Sequence, residues 1–333
     1  MTQPSRMACL GGGHGLYQTL LAARRSATDF ISAVVTVADD GGSSGRLRRE
    51  LEIIPPGDLR MALAALSSDD ADPHLWAQTL QHRFRGNGAM AGHAVGNLMI
   101  AGLADVLGDY QAALDTVARL TQSAGRVLPV VNQPLDIEAE VAGLDDDPRI
   151  MRAVRGQVAV ASTPGQVRRV RIIPEQPAAN PWAIEAIEQA DMITIGPGSW
   201  FSSVIPHVLV PEIVEAIASS DALRVVVLNL TAEPGETQGF SAERHLHVLA
   251  QHAPGLRVDR VIVDSTSLPN ESERVYVQRA ASALGATAIF RDVSENHTGG
   301  DAQGKEVTKH CPEKLSAVFS EIYREFVEDS AAR

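Results

Sequence analysis

Cysteine is nearly absent: the 333 residues hold two, Cys9 and Cys311, far apart and without metal-type spacing. Nothing therefore points to a disulfide or zinc framework, and both thiols are read as buried and inert. No apolar run reaches the roughly 20 residues of a membrane span. The opening MTQPSRMACLGGGHG also lacks the apolar core of a secretion signal, so a cytoplasmic location is expected. Positive charge is in deficit, with 29 Lys and Arg against 41 Asp and Glu and a net charge of −12. That balance gives nucleic acid no electrostatic reason to bind, although it leaves room for a small anion held locally. There is no P-loop, no His-Glu-x-x-His, no internal repeat and no low-complexity tract. What remains is an ordinary globular composition, 44% hydrophobic and 21% charged, long enough to build a substantial core.

Short apolar runs alternate with amphipathic helical ones, the pattern of parallel strands joined by crossover helices. Met7 to Leu10 and Phe30 to Val37 read as strands. Asp58 to Leu66, Pro73 to His82 and His93 to Leu120 read as helices. From residue 126 to 174, RVLPVVNQPLDIEAEV, QVAVAS and VRRVRII read as short β segments between turn residues, hence a β-rich insertion. Alternation then resumes with DMITI, RVVVLNL, RVIVD and ATAIFRD as strands, and a helix opened by Pro312 closes the chain. The expected fold is α/β: one domain over residues 1–333, with a mainly parallel, doubly wound sheet and the insertion at 126–174.

Three small-residue loops follow strands, where open α/β sheets place ligands. Gly11, Gly12, Gly13, His14 and Gly15 open the first helix, a position where backbone N–H groups and the helix dipole hold phosphate. Asp39 and Asp40 end the second strand; paired carboxylates hold a divalent ion such as Mg²⁺ or accept from ligand hydroxyls. Behind them Gly41, Gly42, Ser43, Ser44 and Arg46 supply N–H, hydroxyl and guanidinium donors. Gly57, Asp58 and Arg60 repeat the chemistry at a helix start, where Asp58 also suits an N-cap. His93 and Asn97, at i and i+4, share a face if that segment is helical. The third loop carries Gly196, Gly198 and Ser199 with Ser202 and Ser203 one turn on, and the next strand leads to Asn229, Glu236 and Thr237. One nucleotide-sized cleft would explain all of them. A dinucleotide fold is disfavoured, because the third glycine position of the fingerprint is Leu16.

The strings GGGHGL, VVTVADDGGSSGRLR, PPGDLR, QHRF, GHAVGNL, RVLPVVNQ, EAIEQADMITIGPGSWFSSVIP and NLTAEPGETQGF resemble, in order, the YvcK family of gluconeogenesis factors, within the CofD-like (2-phospho-L-lactate transferase-like) superfamily. The resemblance implies a Rossmann-like three-layer αβα fold, usually dimeric. It also implies a binding protein for UDP-sugars such as UDP-N-acetylglucosamine, tied to cell shape, gluconeogenic growth and the proteins of wall synthesis. The CofD branch implies instead a transferase that moves phospholactate from a guanosine diphosphate donor to a deazaflavin precursor with Mg²⁺. In that branch Asp39 or Asp40 would hold the metal, and His93 or a carboxylate would assist the attacking hydroxyl. Two departures stand out. His14 replaces the Thr common in the first motif, and Lys309, His310 and Cys311 stand where the family shows Arg-His-Asp. Lys309 keeps the charge but not the bidentate fork.

Overall fold

The computed structural model describes every residue except 1–2, 27, 148, 234–235, 269, 296–308 and 333. In chain order the strands are β1 (Arg6–Gly11), β2 (Phe30–Val35), β3 (Gly125–Pro129), β4 (Asp136–Ala142), β5 (Met151–Arg155), β6 (Gln166–Ile173), β7 (Met192–Ile195), β8 (Leu223–Val227), β9 (Arg260–Asp264) and β10 (Thr287–Arg291). The helices are α1 (Gly13–Arg25), α2 (Gly42–Leu51), α3 (Gly57–Leu66), α4 (Ala71–Gln81), α5 (Val95–Leu107), α6 (Tyr110–Leu120), α7 (Gln157–Ala161), α8 (Pro181–Glu188), α9 (Ile205–Val208), α10 (Pro211–Ser219), α11 (Ala242–His252), α12 (Glu271–Ala283) and α13 (Pro312–Ala331), with a π-turn at Trp200–Val204 before α9.

Seven strands form one sheet in the order β10-β9-β8-β7-β1-β2-β3, and every pairing in it is parallel. Helices cover both faces, so the central strands are buried almost throughout and read as unbroken apolar runs. The other three strands form an antiparallel sheet in the order β5-β4-β6. No single helix among the described residues is long and apolar enough to cross a membrane.

Three readings from the sequence are corrected. The β-rich segment does not begin at residue 126: Arg126 to Pro129 belong to β3, paired parallel with β2, so the antiparallel sheet spans 136–173. QVAVAS is helix α7 rather than a strand. Gly156, at φ +100°, turns the chain there, and the Asp40 carboxylate receives the Val158 N–H at 2.9 Å, capping the new helix from a distant loop. The helical segment expected from His93 to Leu120 starts at Val95 and is divided in two. Gly108 closes α5 at φ +64°, and Asp109 starts α6 by accepting from Ala112 N at 3.1 Å. The thiol of Cys9 is buried and pushed up to about 12, hence inert, whereas Cys311 is partly exposed and donates to Glu313.

Candidate functional site

Strand order reverses between β1 and β7, and in open α/β sheets the ligand crevice lies at the C-terminal ends of the strands flanking such a reversal. Here those ends carry Gly11 to Gly15 and Gly196 to Ser199. The two loops are clamped together. A Cβ on Gly15 would stand 2.2 Å from Pro197 O, so only glycine lets the first turn of α1 lie against the second loop. Thr19 Oγ1 donates to Gly196 O at 3.2 Å. Asn229 grips the same loop twice, accepting from Gly198 N at 3.0 Å and donating to Gly198 O at 2.9 Å. Asn229 therefore shapes the crevice wall.

The acidic residues divide. Asp39 keeps one oxygen on the Gly41 N–H, at 2.9 Å, while its Oδ2 faces the start of α3, where a Cβ on Gly57 would come within 2.8 Å. Asp40 turns the other way, toward α7. The pair expected to hold a metal, Asp39 and Asp40, is thus pulled apart, because the Asp40 carboxylate serves the insertion. Asp58 takes its place beside Asp39. Its Oδ2 presses on Gly12, where a Cβ would meet it at 2.5 Å. Burial, and then the Asp39 charge, push the Asp58 carboxyl up to about 7, against the pull of the Gly13 N–H and Arg60. Asp39 is raised too, chiefly by burial. The Gly13 N–H, offered by the sequence to a phosphate, is thus already facing a carboxyl. No group of three or more His, Cys, Asp or Glu among the described residues could hold a metal by itself. Two carboxylates plus ligand phosphates do match the way Mg²⁺ is usually held, so the donor set of Asp39 and Asp58 fits that ion.

Cations line the same space. Arg60 on α3 is only 3% exposed, yet among the described residues no carboxylate lies within ion-pair distance of it. Its Nε donates to Asn97 Oδ1 at 2.9 Å. Burial, and then the Arg83 charge, lower it to about 10. His14, exposed on the first turn of α1, is held below its ordinary value by partial desolvation and by the charges of Lys309 and Arg60, so both cations reach the space around a ring that is itself mainly neutral at pH 7. His310 explains how Lys309 gets there. Its buried ring contacts Leu228 O at 3.1 Å, fastening the C-terminal segment to the end of β8.

Other predicted residues build the walls. Ser44 Oγ accepts the Gly57 N–H at 2.9 Å, and Arg46 donates to Ala89 O and Ala91 O. Gly42 takes φ +48° to start α2. Thr237 Oγ1 receives the Glu233 N–H at 2.8 Å. His93 lies outside α5, so it shares no helix face with Asn97, yet both side chains meet at Ser43. Ser203, one turn on from Ser199, turns its Oγ toward Gly12, whereas the sequence reading missed Thr36, whose buried hydroxyl has no partner among the described residues and whose methyl lies against Gly12. It also missed Glu233, which burial raises beside Ser199. A hydroxyl just past an apolar strand was the only signal for Thr36.

Beyond β8, Glu236 is buried and accepts from Phe201 N at 3.2 Å, while Oε1 has no partner among the described residues and the Ser202 hydroxyl faces the carboxyl without completing a hydrogen bond. Burial pushes it from 4.5 to about 7. A carboxyl raised on folding contributes stability that is complete below about pH 4.5 and is lost as pH rises through 7. Glu236→Gln is therefore expected to gain stability relative to wild type between pH 5 and 8, by up to about 3 kcal/mol. Denaturant unfolding at several pH values checks this. The difference between the proteins is the quantity to follow, because buried His207 and His310, both lowered to about 4, impose the opposite slope on each.

Comparison with known proteins agrees with this architecture. The profile of the family described as "2-phospho-L-lactate transferase CofD" matches residues 7–297. The chain belongs to the CofD family. Within the CofD family it is 57% identical over 316 residues to the "Putative gluconeogenesis factor" of Mycobacterium tuberculosis, covering 95% of this chain and 90% of the relative. It is 39% identical over 281 residues to the "Gluconeogenesis factor" of Bacillus subtilis, covering 84% and 85%. The crystal structure of a UPF0052-family protein from Bacillus halodurans superimposes with a TM-score of 0.80 at 33% identity, covering 95% of this chain and 99% of that one. The chain thus falls with the gluconeogenesis factors of the CofD family.

Proposed function

We propose that the crevice binds a nucleoside-diphosphate sugar of the UDP-N-acetylglucosamine type as a regulatory ligand in the cytoplasm, without turning it over. The observation that carries this reading is Arg60. A guanidinium 3% exposed, with no carboxylate within ion-pair distance among the described residues, is costly unless an anion completes it, and the charges of Arg60 and Lys309 both reach His14. A diphosphate supplies that anion, bidentate to the guanidinium. The carboxyls of Asp39 and Asp58, and those of Glu233 and Glu236 near Ser199 and Ser202, suit hydrogen bonds with the hydroxyl and amide groups that the sugar and nucleoside ends of such a ligand provide. The gluconeogenesis-factor relatives support placing the ligand signal in growth on gluconeogenic carbon. Control of cell shape and wall synthesis, through a homodimer and wall-synthesis partners, extends the same reading.

A second reading, phospholactate transfer from a guanosine diphosphate donor to a deazaflavin precursor, is favoured by the neighbouring carboxyls of Asp39 and Asp58. Mg²⁺ held there would neutralise charge on the diphosphate. Those carboxyls would orient the ion, and Arg60 would hold the phosphate oxygens. Incubation with each ligand, with and without Mg²⁺, followed by ³¹P NMR, separates the two. Saturable binding of UDP-N-acetylglucosamine with its diphosphate intact over hours is expected. Phospholactate transfer to the deazaflavin precursor would replace the regulator reading with the transferase.

A further inference from the structure

Three buried side chains, Arg60, Asn97 and Ser43, join the crevice to His93, and the hydrogens along the chain can be placed by counting donors and acceptors. Arg60 has only donors, so the atom that its Nε contacts at 2.9 Å must be the carbonyl oxygen of Asn97. The amide nitrogen of Asn97 then faces Ser43 and donates to its Oγ at 3.1 Å. The Ala94 N–H donates to the same oxygen at 3.3 Å. Both lone pairs of the hydroxyl are now taken. Its proton is left for the third neighbour, Nδ1 of His93, at 3.0 Å. A neutral imidazole that accepts at Nδ1 carries its hydrogen on Nε2. The chain runs one way, from guanidinium to amide to hydroxyl to imidazole, through residues that are 1% to 6% exposed. Gly96 makes room for it, since a Cβ there would stand 2.9 Å from Arg60 Cγ and Cδ.

We infer that His93 is a positioning residue: as the Nε2–H tautomer it ends a one-way hydrogen-bond chain through Ser43 and Asn97 that fixes Arg60 for the ligand's phosphates, and protonation of His93 disconnects that chain. A proton on Nδ1 would aim a third donor at Ser43 Oγ and leave the hydroxyl's own hydrogen without an acceptor. The charged groups around His93 are Arg46 and Glu50 on α2, Arg83 in the segment bridged to it, and Arg60 beyond Asn97. Burial and the Arg46 charge hold the ring below its ordinary value, so the chain is intact at neutral pH and opens on acidification. The direction is unusual. A protein gaining positive charge ordinarily binds an anion more tightly, whereas this one lets go. The inference rests on Arg60 holding the anion, as proposed above.

Two measurements on the full chain test it. In ¹⁵N-histidine NMR spectra at pH 7.5, the His93 ring, assigned by its absence in His93→Gln, should be the Nε2–H tautomer; the Nδ1–H tautomer would overturn the inference. Isothermal titration with UDP from pH 7.5 to 5.5 should then show wild type losing affinity by a few-fold relative to His93→Gln, whose amide oxygen accepts from Ser43 at every pH. His93→Asn guards against one variant failing to fold. Parallel slopes for wild type and both variants would overturn the coupling. Arg60→Met binding UDP as wild type does would instead sink the anion reading, and with it the role assigned to the chain, whatever the tautomer.

Discussion

Gly15→Ala is expected to lower the melting temperature by about 4–6 °C and to abolish ligand binding. The added methyl would lie 2.2 Å from Pro197 O, 2.5 Å from Pro197 C and 2.7 Å from Gly198 Cα, all backbone atoms that cannot rotate away. Overpacking of this kind costs about 3 kcal/mol, and in a chain of this size each kcal/mol moves the midpoint by about 2–4 °C or less. The relief available is to part α1 from the Gly196 loop, which opens the crevice itself. Gly13→Ala is the control. Nothing lies within 4 Å of the Cβ position there, so its cost is the left-handed φ of +57°, about 1 kcal/mol. Thermal unfolding of the two variants side by side checks the contrast.

Arg60→Met is expected to leave stability within about 1 kcal/mol of wild type while weakening a diphosphate ligand by a factor of roughly 100 or more. The two halves have one cause. Because no carboxylate among the described residues lies within ion-pair distance of Arg60, methionine removes a desolvated charge that Asp58 and Asp39 attract only from farther off, and it keeps the apolar stem against Gly96. The compensating loss is the bond to Asn97. With ligand present the balance reverses, since a buried phosphate would lose its charge-assisted partner. Had Arg60 been a structural ion pair, methionine would instead cost about 3–5 kcal/mol. Denaturant titration of the free protein, with calorimetric binding on the same preparation, reads both halves.

The main sheet was legible because parallel strands covered on both faces are apolar runs. FISAVV and RVIVD have no other good use, and the glycine-rich loops after them mark the crevice edge. The insertion was harder. QVAVA alternates like a strand over five residues, too few for period to decide, and the deciding contact is Asp40 to Val158 across 118 residues of sequence. RVLP was grouped with the insertion by its neighbours, yet it completes the parallel sheet. At the site, residue types were readable but their partners were not. Adjacent Asp39 and Asp40 looked like a pair, and the fold sends them to different elements. His93 and Asn97 looked like one helix face, and they meet instead through Ser43. Glu233 and Thr36 carry no local signature, because their roles depend on packing against loops elsewhere in the chain.

The most direct test is isothermal titration of UDP-N-acetylglucosamine into wild type and Arg60→Met at pH 7.5 and fixed salt, with each protein's fold checked by its unfolding curve. Saturable binding by wild type, and a loss of about 100-fold or more in an equally stable Arg60→Met, is the predicted result. Equal binding by both proteins, or none by wild type, would contradict the account of this crevice as a diphosphate site organised around Arg60.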